Sequence, residues 1–482
     1  MATAQAEPLE LISNPAAIDK LLAERSLADY VRQAWHIIEP HTPLYWNWHI
    51  ELICEYLEAM HAGQIQDLII NEPPRHMKST VCSVCYPSWV WIHKPGHQFL
   101  TASYGADLAT RDSVKSRRII ESPWYQARWG DRFSLTTDQN VKTRYENNQG
   151  GHRITTSVAG GATGEGGDTL IVDDPHNIRE IYSKVKRKSV QRWWDEVLST
   201  RRNHPGKSQR LVIMQRCHQD DLVGHLSKME GYTLLVIPTE AEKKTVVRFP
   251  MTGRFVNLEE GDLLWPDRFP KEFVEKEKPN MGSFAWSAQY QQHPVPISGG
   301  LLKREWWKFY TKLPDDVEPY TQSWDTASKD NTANDYSACL TATRNETGIY
   351  LVDLWRQKVL FPELKTAARG LFVKYNAMAV LIEDKSSGIA LQQSLQHESL
   401  MPIQPIQVDR DKVSRVSAIS PSVEAGNIYL PEDAFWVQDL IDECADFPNG
   451  ENDDIVDALS QLICHYLNFV KNPVAIPGVL DI

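Results

Sequence analysis

No apolar run in the sequence is long enough to span a bilayer, and the opening segment MATAQAEPLELISNP lacks the basic-then-apolar layout of a secretory leader. Both absences lead to the expectation of a cytoplasmic protein. Cysteine is sparse and odd in number, seven in 482 residues, which argues against a disulfide framework. Cys82 and Cys85 form a C-x-x-C, but no second pair or nearby His-x-His completes a zinc site. Two small buried residues on one helical face is their expected role. Positive charge is also short: 51 Lys and Arg stand against 63 Asp and Glu, a net charge of −12. That excludes a simple nucleic-acid binder with an overall basic footprint, though not a protein that confines its positive charge to one channel. Internal repeats and low-complexity tracts are missing as well. Tryptophan, by contrast, is abundant at sixteen residues, some in pairs (Trp193 and Trp194, Trp306 and Trp307), as large core and interface anchors would be.

A chain of 482 residues exceeds what one hydrophobic core usually supports, so two domains with connectors are expected. Residues 1–40 read as a helical segment. From residue 41 to 293 apolar strand-like runs (Asp67–Asn71, Gln98–Ser103, Thr169–Asp173 and Arg210–Met214) alternate with amphipathic stretches. This is the pattern of an α/β unit with a mostly parallel sheet and flanking helices. Pro294–Gly300 opens an expected linker over residues 294–315. Beyond it the order changes. Thr321–Ala327, Tyr336–Thr343 and Gly348–Trp355 read as three strands, the last two joined by a turn at Asn345–Gly348. Helix and strand then alternate through Pro362–Asn376, Ala379–Asp384, Ile389–His397 and Ile403–Val408, and a final helix covers Asp453–Phe469. Three antiparallel strands followed by helix–strand units is the order of an RNase H-like fold, expected over residues 316–475.

The strand Asp67–Asn71 runs into Glu72-Pro73-Pro74-Arg75-His76-Met77-Lys78-Ser79-Thr80. A phosphate loop needs backbone N–H groups curled around the phosphates, a lysine for the outer phosphates and a hydroxyl for Mg²⁺. Lys78 and Ser79 supply the last two, while Glu72 and Met77 occupy the two glycine positions of the general pattern. Pro74, Arg75, His76, Met77, Lys78, Ser79 and Thr80 are therefore the candidate nucleotide-binding residues. A Lys-Ser-Thr triplet alone is only a solvated helix start. The downstream strand Leu170-Ile171-Val172-Asp173-Asp174 changes the balance, because an apolar strand ending in two acids has the form of a Walker B element. Asp173 would join Ser79 in the Mg²⁺ shell, and Asp174 would orient or deprotonate the attacking water. A further strand ends in Gln215 and Arg216, of which Gln215 is placed at the γ-phosphate.

The second half carries separated acids in RNase H-like order: Asp325 on the first strand, Glu383 and Asp384 at the end of Ala379–Asp384, and Asp453, Asp454 and Asp457 at the start of the last helix. Two-metal phosphodiester cleavage needs such carboxylates converging from different elements. Strand alternation lets only one of Glu383 and Asp384 face inward. Asp454 and Asp457, three apart, share a helical face, and Asp453 is left as a cap. Singly, each acid is an ordinary turn or cap residue. Together they read as candidate ligands for two Mg²⁺ or Mn²⁺ ions: Asp325, Glu383 or Asp384, Asp454 and Asp457. Asp330 and Asp335 are accessory acids at most.

With those pieces in order, the run IINEPPRHMKST resembles the large subunits of tailed-phage terminases, whose loop usually reads P-P-R-x-G-K-S. WHIELICEYLEA, TASYGADLA, LIVDDP, MQRCHQDDLVG and QYQQHP are similar to further family motifs, so the resemblance covers roughly residues 40–470. It departs at Met77, where the family has glycine, and at Glu165, where relatives often carry arginine. The resemblance implies an ATP-hydrolysing motor and a DNA endonuclease on one chain. The implied partners are double-stranded viral DNA, a portal protein, a small terminase subunit and copies of the chain in a ring on the procapsid, with a monomer in solution and the host cytoplasm as its location. It also implies an arginine finger, with Arg144 and Arg153 as candidates and Arg75 as a catalytic residue in cis. Among the acids it favours Glu383, five before Gly388, as the inward ligand, with Asp325 and Asp457 as its catalytic companions. Relatives place the segment holding Lys412 and Arg415 near DNA. The rival readings are a helicase-nuclease of recombination or repair and a degenerate adaptor without motor activity.

Overall fold

The computed structural model describes residues 14–160, 164–295, 300–327, 335–398, 401–407 and 411–471. Asp330, residues 296–299 of the expected linker and residue 408 of the run Ile403–Val408 lie outside the described residues. The chain divides into two compact units, Met1–Glu275 with Phe284–Val295 and Lys276–Ser283 with Pro296–Ile482.

The first unit is built on a sheet of β1 (Asp67–Asn71), β2 (Phe99–Ser103), β3 (Leu135–Asn140), β4 (Arg144–Asn147), β5 (His152–Ser157), β6 (Thr169–Asp173), β7 (Gln209–Met214) and β8 (Tyr232–Val236). Their order is β3-β4-β5-β2-β6-β7-β1-β8. Pairing is parallel from β5 to β8 and antiparallel at the β3–β4–β5 edge. The central strands are buried along their whole length because helices cover both faces, which is why they read as continuous apolar runs. A separate antiparallel pair joins β9 (Thr245–Arg248) to β10 (Phe255–Leu258). The N-terminal helices Pro15–Arg25 and Leu27–Ile38 are capped by Asn14 and Ser26. Their Ala23, Leu27, Tyr30 and Val31 pack into the same core as Leu68 and Ile70 of β1, so this segment is part of the first unit. Trp193 and Trp194 sit in the core on the opposite face of the sheet.

The second unit holds β11 (Lys308–Tyr310), β12 (Thr321–Asp325), β13 (Ser337–Arg344), β14 (Ile349–Gln357), β15 (Ala379–Glu383), β16 (Ile403–Ile406) and β17 (Ile428–Pro431), in the order β11-β17-β14-β13-β12-β15-β16. The antiparallel β12–β13–β14 meander turns at Asn345, whose side-chain oxygen accepts from the backbone N–H groups of Thr347 and Gly348 at 2.9 and 3.3 Å. β15 and β16 then add in parallel beside β12. The final helix, Asp454–Lys471, is tied to β12 by Ser323, which donates to the Ala458 carbonyl at 2.8 Å and accepts from Gln461 at 3.1 Å. This brings Asp457 to the strand that ends in Asp325.

Candidate active sites

The candidate nucleotide site lies where three parallel strands end together. Asn71 of β1 pairs with Met214 of β7, and Ile213 of β7 pairs with Asp173 of β6. The residues that follow, Glu72, Gln215 and Asp174, therefore emerge side by side at the carboxyl edge, where open α/β sheets bind ligands. Lys78 is buried and its Nζ donates to Gln215 Oε1 at 2.7 Å, with Asp174 Oδ2 3.9 Å away. Ser79 Oγ donates to one oxygen of Asp173 at 3.0 Å, and Ser83 Oγ to the other at 2.7 Å. A hydroxyl and a carboxylate converging beside a lysine at the mouth of a phosphate loop are the donors a Mg²⁺–nucleotide needs, and the residues fit that ion. Burial, then Asp174 and Asp112, push the Asp173 carboxyl up to about 7, the cost of gathering acids in one place.

The loop keeps its shape without glycine. Arg75 and Met77 have φ of 63° and 81°, the left-handed region that glycine adopts freely. Met77 is buried within the core of the first unit, so packing holds a conformation that costs an ordinary residue about 1–2 kcal/mol. His76 stacks on Phe269 with ring centroids 4.4 Å apart, and its Nδ1 donates to the Pro74 carbonyl at 2.9 Å. Glu72 is fully buried, 3.6 Å from His49, and burial pushes its carboxyl well above the usual carboxylate range against the pull of Lys78. Thr80 begins the π-helical turn Thr80–Cys85, in which Cys82 and Cys85 are both buried.

The arginine candidates separate. Arg144 is engaged by Glu146 and by Glu165, each at 2.7 Å, and Arg153 is completely buried in β5. Arg75 remains exposed on the loop. Reading the sequence missed Ser83, four residues after Ser79 along the same helical stretch, and the buried Asp112, which Arg111 holds at 2.8 Å. It also missed Arg268, whose guanidinium lies 4.9 Å from the Trp265 ring. Burial, and then the charge of Arg75, pull the Arg268 pKa down.

In the second unit Asp325 ends β12, and burial, then Asp457, push its carboxyl well above the usual range, with Asp454 and Glu383 adding to the effect and Lys412 opposing it. Asp457, Asp454 and Glu383 thus lie within electrostatic reach of Asp325. Glu383 ends β15, while Asp384 is exposed and its backbone N–H donates to Ile406. The structure therefore brings Glu383, and not Asp384, toward Asp325. This corrects the inclusion of Asp384 among the ligands: the strand ends there and the next residue turns outward. Asp454 and Asp457 open the final helix but meet different bases. Asp454 accepts from Arg356 at 3.2 Å, whereas Asp457 accepts from Arg415 through Oδ1 at 2.7 Å and pairs with Lys412 through Oδ2 at 2.6 Å. Lys412 also pairs with Asp453 at 2.7 Å, and Lys385 with Glu383 at 2.9 Å. Oxygen donors of this kind suit a divalent ion. Their arrangement does not form a ready two-ion cluster, because both Asp457 oxygens are taken. Among the described residues no group of three or more His, Cys, Asp or Glu side chains is arranged to hold a metal.

Residues 322–466 match the family model of the terminase RNase H-like domain. No curated protein matches the chain in sequence. The large terminase of a thermophilic bacteriophage is similar in structure, with 11% identity over 85% of this chain and 98% of that one and a TM-score of 0.51. The same terminase in complex with ADP matches over the same shares at 11% identity and a TM-score of 0.50. The large terminase nuclease of thermophilic phage G20c with bound magnesium matches over 34% of this chain and 97% of that one, at 17% identity and a TM-score of 0.28. The chain thus shares the fold of the phage large terminases, and its residues 322–466 match their RNase H-like domain.

Proposed function

We propose that this chain is a motor and endonuclease of viral genome packaging: it hydrolyses ATP to drive double-stranded viral DNA into a procapsid and cuts that DNA in a metal-dependent reaction centred on Asp325. The observation that carries the reading is the union, on one polypeptide, of a phosphate loop whose Lys78 faces Gln215 and Asp174 with a terminase RNase H-like domain. The ADP complex of the thermophilic-phage relative supports ATP as the nucleotide.

Lys78 would place its ammonium on the outer phosphates, exchanging Gln215 for phosphate oxygen. Ser79 and Asp173 would hold Mg²⁺, which when bound neutralises charge developing on the transferred phosphoryl group. Asp174, beside Lys78, would orient the attacking water and accept its proton. Gln215, released by Lys78, precedes Arg216, whose Nε bonds Asp221 at 2.9 Å. Asp221 caps the helix Leu222–Leu226, so loss or gain of the phosphate can be passed to that helix. The partners proposed with this function are the portal, a small terminase subunit and further copies of the chain in a ring, docked on the procapsid in the host cytoplasm.

The test uses the full chain in two assays, Mg²⁺-dependent ATP turnover and Mn²⁺-dependent plasmid cleavage. Lys78→Ala should lose the first and keep the second, and Asp325→Ala the reverse. A parent protein without either activity would leave the adaptor reading standing. ATP-driven strand separation would favour the helicase-nuclease.

A further inference from the structure

Three acids of the nuclease centre, Glu383, Asp454 and Asp457, are each held by a base of the same unit, and Asp457 is held by two. Lys412 and Arg415 stand three apart in the first turn of the helix Lys412–Glu424, so they share one face. Asp411 fixes that turn by accepting from Ser414 N–H at 3.0 Å and Ser414 Oγ at 2.7 Å. The side chain of Asp457 is only 2% exposed, while that of Lys412 is 47% exposed. The ammonium therefore lies between solvent and the acid, bridging Asp457 and Asp453.

We propose that Lys412 and Arg415 form an exchangeable latch: they hold Asp457 until DNA backbone phosphates draw them away, and only then does Asp457 open to a divalent ion. The nuclease would thus load metal together with its substrate. The argument is electrostatic. A dication approaching an oxygen that already carries an ammonium at 2.6 Å meets strong like-charge repulsion. The duplex backbone offers about one negative charge per 1.7 Å of axis, and lysine and arginine are the residues it recruits. Lys412, nearly half exposed, is the member that can swing to it first. This inference rests on the nuclease reading, since it concerns the same acids.

The experiment counts bound Mn²⁺ on the full chain from the resonance of the free ion, with and without a short phosphorothioate duplex that resists cleavage. The nuclease ion is the portion lost on Asp325→Ala, which separates it from any ion at the nucleotide site. In the parent that ion should bind weakly alone and about tenfold or more tightly with the duplex. Lys412→Ala should bind it tightly without DNA and gain little from adding it, and Lys412→Arg should behave as the parent. Equal Mn²⁺ affinity of the parent and Lys412→Ala without DNA would overturn the latch. An ion dependent on Asp325 in none of these samples would remove the nuclease reading as well.

Discussion

The Lys78 ammonium donates to the Gln215 amide oxygen at 2.7 Å, a bond that joins the phosphate loop to the end of β7. Removing one partner leaves the other buried and unsatisfied. Gln215→Ala should cost about 1–2 kcal/mol of stability and slow ATP turnover while nucleotide affinity stays near that of the parent. Denaturant unfolding and steady-state ATPase measurements check this. A variant as stable and as active as the parent would mean that the bond neither supports the loop nor senses phosphate.

Met77 offers a separable test of the loop. Met77→Gly relieves a left-handed backbone but deletes a side chain packed in the core. Truncation of a buried methionine costs about 2–5 kcal/mol, against about 1–2 kcal/mol of relieved strain. The variant should therefore lose up to roughly 4 kcal/mol of stability yet keep ATP turnover. A collapse of turnover with stability intact would show that the methionine itself touches the nucleotide.

His176 gives a pH dependence with a definite sign. Its Nε2 accepts from the Leu222 backbone N–H at 2.8 Å, and burial pulls its pKa down to about 4. The folded pKa is depressed below the unfolded one, so the unfolded chain takes up the proton first. This contribution to stability is intact above an unfolded pKa of about 6.5 and is lost as pH falls toward 4. At pH 5 the loss should be of the order of 1–2 kcal/mol, and His176→Gln should show a shallower decline. Identical stability–pH profiles of parent and variant would contradict the burial argument.

The two acids at the end of β15 are distinguished by plasmid cleavage. Glu383→Ala should lose most of the activity, since Glu383 faces Asp325, and Asp384→Ala should retain most of it, since Asp384 faces solvent. The reverse pattern would mean that β15 is out of register at its end.

The sequence by itself determined the buried frame of the chain. β1, β2, β6 and β7 are covered on both faces, so they had to be continuous apolar runs, and their ends marked Lys78, Asp173 and Gln215 directly. The first strand of the second half, its hairpin turn and its final helix were equally legible, because alternation, turn chemistry and helical spacing are local properties. The β3–β5 edge was not, since β3 is half exposed and written in polar residues. Short β11 and β17 carry too few residues for a period to be read. What only the tertiary structure decided were the partnerships between distant residues. It buried Arg153, tied Arg144 to Glu165, turned Glu383 inward in place of Asp384, and set Lys412 and Arg415 on Asp457. Spacing along the chain limits which face a side chain takes, but which charge it meets there depends on helices and strands that pack only after the chain has folded.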